Sequence, residues 1–244
     1  MKRLEKLYEG KAKVIYKTDD PDLFIQYFKD DATAFDGKKK GIIEDKGVVN
    51  NTISSRLFAF LEENGIATHF VEKLSEREMV VKGLDIIPVE VVLRNVAAGS
   101  LSKRMGIEEG TLLKRPIVEL CYKSDPLGDP MINYDHIEIF DLAERGEVKE
   151  MEEVGMEVNK LLSRFFDERG ITLVDFKLEF GRHKGEILLG DEVTPDGCRL
   201  WDKETNEKMD KDRFRRDLGK IEEAYQEVAR KVCSPAGGAA GGAQ

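Results

Sequence analysis

Three charged side chains share one face of a predicted strand in the C-terminal half of the chain. Asp175, Lys177 and Glu179 alternate with apolar residues, so neighbours among them lie about 7 Å apart on one side of the strand. A polar turn follows, and a second predicted strand ends at Asp191 and Glu192. Carboxylates on two strands with a lysine between them could hold Mg²⁺ and a polyphosphate. The same alternation is more commonly the solvated face of an antiparallel sheet, so the hairpin alone does not establish such a site.

A second candidate lies near the N-terminus, where two short β-like runs flank Gly10, Lys11, Ala12 and Lys13. The backbone N–H groups and the two ammonium groups of such a hairpin tip could cover a polyphosphate. The spacing differs from that of a Walker loop, which has a Ser or Thr after the lysine. Lysines in turns are usually only solvated, so this tip also needs support from elsewhere in the chain.

A third candidate follows the most β-like run, residues 86–93, in which Pro88 predicts an edge position or a bulge. Arg94 comes next and carries a planar fork of donors. Residues 95–100 are mostly small and lead into a short predicted helix that Ser100 could cap. An arginine beside a capped helix start suits a monophosphate, although an ordinary capped helix explains the segment as well.

Apolar periodicity predicts the elements that would position these side chains. The helical patterns cover residues 50–63, 148–169 and a last stretch that opens at 208–215 and ends near 232. The β-like runs cover residues 7–16, 23–28, 70–82, 86–93, 109–122 and 171–189. Asn50 or Asn51 is expected to cap the first helix, and Gly65 and Gly170 are expected to end the first and second helices.

Composition excludes several classes of protein. A chain of 244 residues with a net charge of −9 lacks the basic footprint of a general nucleic-acid binder. The charged N-terminus has no apolar signal-peptide region, and no apolar run approaches the ~20 residues of a membrane span. Three widely spaced cysteines favour the reducing cytosol, and three scattered histidines show no zinc pattern. Residues 234–244 are rich in Gly and Ala and are expected to be disordered.

Six motifs, in order along the chain, resemble one family, the phosphoribosylaminoimidazole-succinocarboxamide synthases (SAICAR synthetases) of purine biosynthesis. The two long signatures are IIPVEVVLRNVAAGS at residues 86–100 and LVDFKLEFG at 173–181. The four shorter motifs are GKAK at 10–13, the Asp36–Gly37 turn, GDEVTPDGCRLW at 190–201 and DKDRFR at 210–215. The resemblance extends from about residue 7 to residue 232.

The resemblance implies an ATP-dependent ligase that joins carboxyaminoimidazole ribotide (CAIR) to L-aspartate, with ATP and Mg²⁺ as cofactors. It implies an α+β fold of two lobes, similar to ATP-grasp enzymes and kinases, with ATP in the cleft. An antiparallel nucleotide-binding lobe would span residues 1–83, and a larger α/β substrate and metal lobe would span residues 84–233. A cytoplasmic homodimer is expected from the family, with small-molecule substrates and with neither nucleic acid nor membrane as a partner.

The family's functional residues match positions of this sequence. The expected nucleotide contacts are Lys11, Ala12, Lys13, Lys82, Lys123, Glu179 and Asp191. Glu179 and Asp191 are also the expected metal ligands. The expected contacts to the ribotide and other anions are Arg94, Ser100, Arg199 and Arg215. The expected catalytic residues are Lys177, Asp175 and Asp36.

The register of the hairpin conflicts with this assignment. A hairpin centred on His183 would pair Asp175 with Asp191 and would leave Glu179 about 13 Å further along an ideal strand. Either a bulge at Gly190 shifts the register, or two metals bind, or the turn is asymmetric.

Two other functions compete with the ligase. A small-molecule kinase on a related scaffold would share the phosphate hairpin and the metal carboxylates but would lack a site for an amine substrate. A regulatory nucleotide-binding module would not need metal carboxylates that face lysines. Arg94 and the small residues before Ser100 favour a fixed ribotide-phosphate site.

Overall fold

The computed structural model of the protein describes residues 1–34 and 39–235. The strands are β1 (Arg3–Glu9), β2 (Lys13–Thr18), β3 (Leu23–Phe28), β4 (Asp31–Ala34), β5 (Lys39–Ile42), β6 (Phe70–Lys73), β7 (Glu78–Lys82), β8 (Asp85–Ile86), β9 (Val89–Val96), β10 (Leu112–Tyr122), β11 (Met131–Ile132), β12 (Ile171–Leu178), β13 (Phe180–His183), β14 (Glu186–Leu189) and β15 (Cys198–Asp202). The helices are α1 (Lys46–Glu63), α2 (Gly99–Met105), α3 (Tyr134–Ile139), α4 (Arg145–Asp167), α5 (Asp212–Arg215) and α6 (Ile221–Cys233).

The strands form antiparallel sheets in a mixed α/β fold. One five-stranded sheet has the order β1-β2-β3-β7-β6, and another has the order β11-β10-β9-β12-β15. A three-stranded sheet, β14-β13-β8, and the two-stranded β4-β5 complete the set in the described ranges. The predicted β-hairpin at the N-terminus and the predicted strands at residues 23–28 and 70–82 are therefore confirmed.

Both faces of β9 and β12, two neighbouring strands inside the second five-stranded sheet, are largely buried. Helix α4 packs against β9 and β12, and Gly155 lets the helix approach closely, since a Cβ there would lie 3.3 Å from Leu93 and Val91. One cluster of buried apolar side chains joins this sheet to α1, α4 and α6 and reaches Phe28 and Met79 of the first sheet. This continuous core provides a rigid support for the polar side chains of β9 and β12. No helix in the described ranges is long and apolar enough to span a membrane.

The first helix begins earlier than its sequence pattern predicts. It starts at Lys46, and Asp45, in the left-handed conformation with φ 57°, precedes it without a side-chain cap. The predicted caps at Asn50 and Asn51 are wrong, because both residues are buried inside the helix. Asn51 instead donates hydrogen bonds to backbone carbonyls of residues 75, 76 and 78. The predicted stop is confirmed at Gly65, whose N–H donates to Glu62 O and whose φ is 85°.

The prediction of an edge strand or a bulge at Pro88 is wrong. Strand β9 lies between β10 and β12 in the interior of its sheet. Pro88 interrupts the apolar run and separates the short β8 from β9, which begins at the next residue. The missing N–H therefore falls outside the ladder and costs no interstrand hydrogen bond.

The predicted last helix is divided in two. Three residues between α5 and α6, Asp217, Gly219 and Lys220, have φ values of 54°, 68° and 50°, which a right-handed helix cannot contain. The predicted disordered tail at residues 234–244 overlaps the described ranges only at Ser234 and Pro235, and positions 236–244 lie outside them.

Replacing Gly47 by Ala is expected to lower the free energy of unfolding by about 2 kcal/mol, because the new methyl group overpacks the start of α1. A Cβ at Gly47 would lie 2.4 Å from the carbonyl oxygen of Phe28 and 2.6 Å from Nη1 of Arg77. Urea unfolding of the variant and the parent measures the difference.

The matched control is Gly146→Ala, which also changes the second residue of a helix but meets no atom within 4 Å. It should leave stability unchanged or raise it by a few tenths of a kcal/mol. Equal stabilities for the two variants would contradict the crowding seen at Gly47.

Candidate active site

The hairpin formed by β13 and β14 has its turn after His183, not centred on it. Residues 184–185 form its two-residue turn, with φ values of 51° and 88°. The hairpin centred on His183, which would have paired Asp175 with Asp191, is therefore not formed, and the position of the turn itself sets the register. The N–H of Gly190 donates to the carbonyl oxygen of Glu179 at 2.9 Å. Glu179 thus lies opposite Gly190, the residue before Asp191, and the charges of both carboxylates raise the pKa of Lys177, so the two predicted metal ligands lie near the same ammonium group.

Glu179 lies between β12 and β13 and is surrounded by ammonium groups. Its carboxylate accepts from Lys177 Nζ at 2.7 Å and from Lys123 Nζ at 2.8 Å. Lys177 also donates to Glu90 at 2.5 Å. The side chains of Glu179 and Glu90 are only 5% and 6% exposed, which excludes the solvated-face interpretation of this strand. Burial alone would lower the pKa of Lys177, but the charges of Glu179 and Glu90 outweigh it and hold that pKa well above its ordinary value.

The tip of the N-terminal hairpin contacts the same group of charges. Lys13 forms an ion pair with Asp191, and its Nζ lies 3.8 Å from Glu192. Burial would raise the pKa of Asp191, but the charges of Lys13, Lys177 and Lys123 and the hydrogen bond from Lys13 together outweigh it and lower that pKa to about 2. Asp191 is therefore an anion at neutral pH. Lys11 pairs with Asp125 at 2.8 Å in the loop after β10, so both lysines of the tip contact residues that are distant in sequence. The name carboxylate–lysine cluster is used below for Lys11, Lys13, Lys123, Lys177, Glu90, Glu179, Asp125, Asp191 and Glu192.

Two predicted nucleotide contacts lie at the margin of this cluster. Ala12 is in the same hairpin tip, and its carbonyl oxygen accepts from the Lys29 N–H at 2.8 Å. Lys82 ends β7 and donates from Nζ to the carbonyl oxygen of Thr68 at 3.0 Å. Its ammonium group makes no ion pair with the carboxylate–lysine cluster in the described residues.

Arg94 has a buried position with three different partners. Its Nε donates to Glu119 at 2.8 Å, its Nη1 to Asp175 at 2.9 Å and its Nη2 to Ser100 Oγ at 3.1 Å. The prediction that Ser100 caps α2 is therefore wrong. The N-cap is Ala98, and the Ser100 hydroxyl accepts from Arg94 within the first turn of the helix. The predicted proximity of Arg94 and Ser100 is confirmed.

Two further arginines complete a second group. Arg199 donates to Asp175 at 2.9 Å and to Asp212 at 3.0 Å. Arg215 donates to Asp212 at 2.6 Å. Burial would lower the pKa of Arg199, but the charges of Asp175 and Asp212 outweigh it and raise that pKa. Asp175 is therefore held between two guanidinium groups. The name arginine cluster is used below for Arg94, Arg199, Arg215, Asp175, Asp212, Glu119 and Ser100.

Strand register places the two clusters side by side. Asp175 of β12 pairs with Arg94 of β9, and Lys177 pairs with Val92. Because side chains alternate along a strand, Asp175, Lys177, Arg94 and Glu90 all lie on one face of the sheet. Glu90, Glu119 and Asp212 are site residues that the sequence patterns did not predict, and Glu192 was predicted only as a carboxylate that follows the second strand of the hairpin. The even spacing of Glu90 and Arg94 on one strand was the signal that could have identified Glu90.

Asp36, a predicted catalytic residue, lies outside the described residues. Strand β5 follows it and contacts α5, the helix that contains Asp212 and Arg215 of the arginine cluster. Lys39 of β5 donates to the carbonyl oxygen of Phe214 and to the carboxylate of Asp217, each at 2.6 Å.

Folding stability should fall as the pH drops from 7.5 to 5.0, because His69 is buried without a hydrogen-bond partner in the described residues. Burial is the main cause that lowers its pKa, from 6.5 to about 3, and Lys13 and Lys82 add to it against Asp191. The unfolded chain binds the proton below about pH 6.5 while the folded chain does not, so this loss reaches about 2 kcal/mol at pH 5.0. Urea unfolding at both pH values measures it.

In His69→Leu this part of the pH dependence should disappear, whatever the variant's absolute stability. The exposed His136 provides a control, since His136→Gln should keep the parental difference between the two pH values. An unchanged pH dependence in His69→Leu would contradict the assignment.

Comparison with known proteins identifies the family of this chain. The family model for SAICAR synthetase matches residues 6–232. The phosphoribosylaminoimidazole-succinocarboxamide synthase of Chlorobaculum parvum is 61% identical over 232 residues, which cover 95% of this chain and 99% of that protein. The crystal structure of the synthase from Ehrlichia chaffeensis has a TM-score of 0.92 at 49% identity and covers 95% of this chain and 100% of its own. A SAICAR synthetase solved in complex with ADP has a TM-score of 0.91 at 48% identity, with 95% and 99% coverage. This chain belongs to the SAICAR synthetase family.

Proposed function

We propose that this protein is the ATP-dependent ligase of de novo purine biosynthesis that joins CAIR and L-aspartate to give SAICAR, ADP and phosphate. The observation that supports it most is the pair of clusters on one face of β9 and β12. All three substrates are anions, so one cleft must neutralise several negative charges at once. The carboxylate–lysine cluster suits a metal-bound polyphosphate, and the adjacent arginine cluster suits the ribotide.

On the nucleotide side, Lys11, Lys13 and Lys123 supply ammonium groups and Ala12 supplies backbone near the phosphates. Lys11 and Lys13 of the hairpin tip pair with Asp125 and Asp191. Lys123 pairs with Glu179. The proposal includes a two-lobed, ATP-grasp-like or kinase-like arrangement with ATP between residues 1–83 and residues 84–233. Lys82, at the end of β7, lies where the two parts meet.

Glu179 and Asp191 are the residues that would hold Mg²⁺. The described residues contain no group of three or more His, Cys, Asp or Glu side chains that could hold a metal by themselves. Two carboxylates at adjacent positions fit an ion that usually keeps one or two protein carboxylates and takes phosphate oxygens and water as its other ligands. When Mg²⁺ binds the two carboxylates, the lysines that now pair with them would form ion pairs with the phosphates instead. The ion would supply charge neutralisation and orientation of the phosphates.

The proposed reaction has two steps. The γ-phosphoryl group of ATP is transferred to a carboxylate oxygen of CAIR, which gives ADP and an acyl phosphate. The amine of L-aspartate then attacks the acyl carbon, a C–N bond forms, and phosphate leaves with the electron pair of the broken C–O bond while the nitrogen loses its proton. Lys177 belongs to the carboxylate–lysine cluster and lies two residues along β12 from Asp175 of the arginine cluster, so it can neutralise the carboxylate and phosphate charges.

The arginine cluster is the proposed ribotide site. Arg94, Ser100 and Arg199 form its centre, and Arg215 lies at its edge through Asp212. Asp175 orients both Arg94 and Arg199, which gives it a positioning role in addition to its predicted catalytic one.

The decisive experiment measures ADP release and the mass of the product. ADP should form only when CAIR and L-aspartate are both present, and the product should have the mass of SAICAR. ADP formation with a sugar or an inositol in place of CAIR would instead indicate a small-molecule kinase. The proposal also includes a cytosolic homodimer, and light scattering of the purified protein tests the dimer.

A further inference from the structure

A lysine that belongs to neither of the two clusters is completely buried at the start of α1. The side chain of Lys46 has 0% of its surface exposed, and its Nζ donates to Asp196 Oδ2 at 2.7 Å. The Asp196 side chain is 5% exposed. Charges persist at such depth only when they are paired and hydrogen-bonded, so the pair places a strong constraint on its two elements.

A third residue completes this buried group. The Tyr225 hydroxyl donates to the other oxygen of Asp196, Oδ1, at 2.6 Å. Tyr225 belongs to α6 and is 1% exposed. Asp196 thus accepts from α1 on one side and from α6 on the other, and helices α1 and α6 also pack directly against each other.

The backbone of the segment that contains Asp196, residues 190–199, is also held by hydrogen bonds to other elements. The Val193 N–H donates to Ser54 Oγ of α1 at 3.3 Å. The carbonyl oxygen of Pro195 accepts from the Lys211 N–H at 3.1 Å. The carbonyl oxygen of Gly197 accepts from the N–H of Lys177 at 3.2 Å. Without regular structure over most of its length, the segment depends on these contacts for its position.

Each end of the segment contributes to a different part of the site. Asp191, near its start, pairs with Lys13 in the carboxylate–lysine cluster. Arg199, at its end, pairs with Asp175 in the arginine cluster. We propose that Lys46, Asp196 and Tyr225 form a positioning group that fixes residues 190–199 and thereby the separation between the phosphate donor and the ribotide.

The proposal rests on the proposed ligase function and predicts a kinetic effect of a single hydroxyl that belongs to neither cluster. Tyr225→Phe should lower kcat about 10-fold, because a small displacement of reacting groups slows transfer strongly. The KM values for ATP, CAIR and L-aspartate should change little, since the binding groups themselves remain. The rates are measured well below the melting temperature and are expressed per folded molecule.

Tyr134→Phe is the matched control, because Tyr134 also donates its hydroxyl to a carboxylate, Glu152, but between α3 and α4. It should keep the parental kcat. If Tyr225→Phe does not fold, Ser54→Ala tests the same segment through its bond to Val193 and should lower kcat in the same way. A parental kcat in the folded Tyr225→Phe or Ser54→Ala variant would overturn the positioning role. A parent that makes no SAICAR would instead overturn the proposed function.

Discussion

Replacing Glu179 by Gln is expected to lower kcat by about 10³-fold while the protein remains folded. The carboxylate of Glu179 is buried and accepts from Lys177 and Lys123. A neutral amide of the same shape can neither hold Mg²⁺ as a carboxylate does nor keep both ammonium groups in place. Loss of one preorganised electrostatic group typically costs 10²–10³ in rate, and here a metal ligand would be lost as well. Steady-state ADP release over a range of Mg²⁺ concentrations measures the effect.

Glu90→Gln is the informative control for this prediction. Glu90 is also buried and also bonds to Lys177, but it is not one of the expected metal ligands. Its replacement should lower kcat much less and should leave the Mg²⁺ dependence unchanged. Equal losses in the two variants would mean that both act by changing Lys177, and the metal assignment of Glu179 would then be wrong. Circular dichroism and unfolding curves confirm that each variant is folded.

Replacing Arg94 by Lys is expected to raise the KM for CAIR about 100-fold. A lysine keeps the positive charge but has a single ammonium group, whereas Arg94 reaches Glu119, Asp175 and Ser100 from three different nitrogens. The loss also leaves parts of two buried carboxylates without partners, so stability should fall by on the order of 2–3 kcal/mol. The KM for ATP should change far less, because the carboxylate–lysine cluster is untouched. Initial-rate kinetics with each substrate varied in turn measures the two values.

Arg182→Lys is the control for the loss of a guanidinium group. Arg182 forms two bonds to Glu147, at 2.5 and 2.7 Å, but it is partly exposed and belongs to neither cluster. Exposed pairs contribute little, so stability should change by less than about 1 kcal/mol and the kinetics should be parental. A similar rise in the KM for ATP and for CAIR in Arg94→Lys would indicate general distortion of the cleft and would contradict a ribotide-specific site.

Local sequence patterns predicted many elements because they depend on neighbouring residues. Period-two alternation identified the strand from residue 171, and Gly65 identified the end of α1. The same patterns failed where an element's position depends on the rest of the chain. Strand β9 is interior in spite of Pro88, because the proline lies one residue before the ladder begins. The last helical pattern is broken by positive φ angles that apolar spacing does not reveal.

The sequence alone determined which residue types alternate along β12, where the short Gly-Lys hairpin lies and which family the motifs resemble. Side-chain chemistry and strand periodicity are local properties, so they can be read without coordinates. Only the tertiary structure decided that Glu179 lies opposite Gly190, the residue before Asp191, because the register of a hairpin depends on the geometry of its turn. It also decided that these charges are buried and that Lys46, Asp196 and Tyr225 come together, since long-range packing alone brings α1, α6 and residues 190–199 into contact.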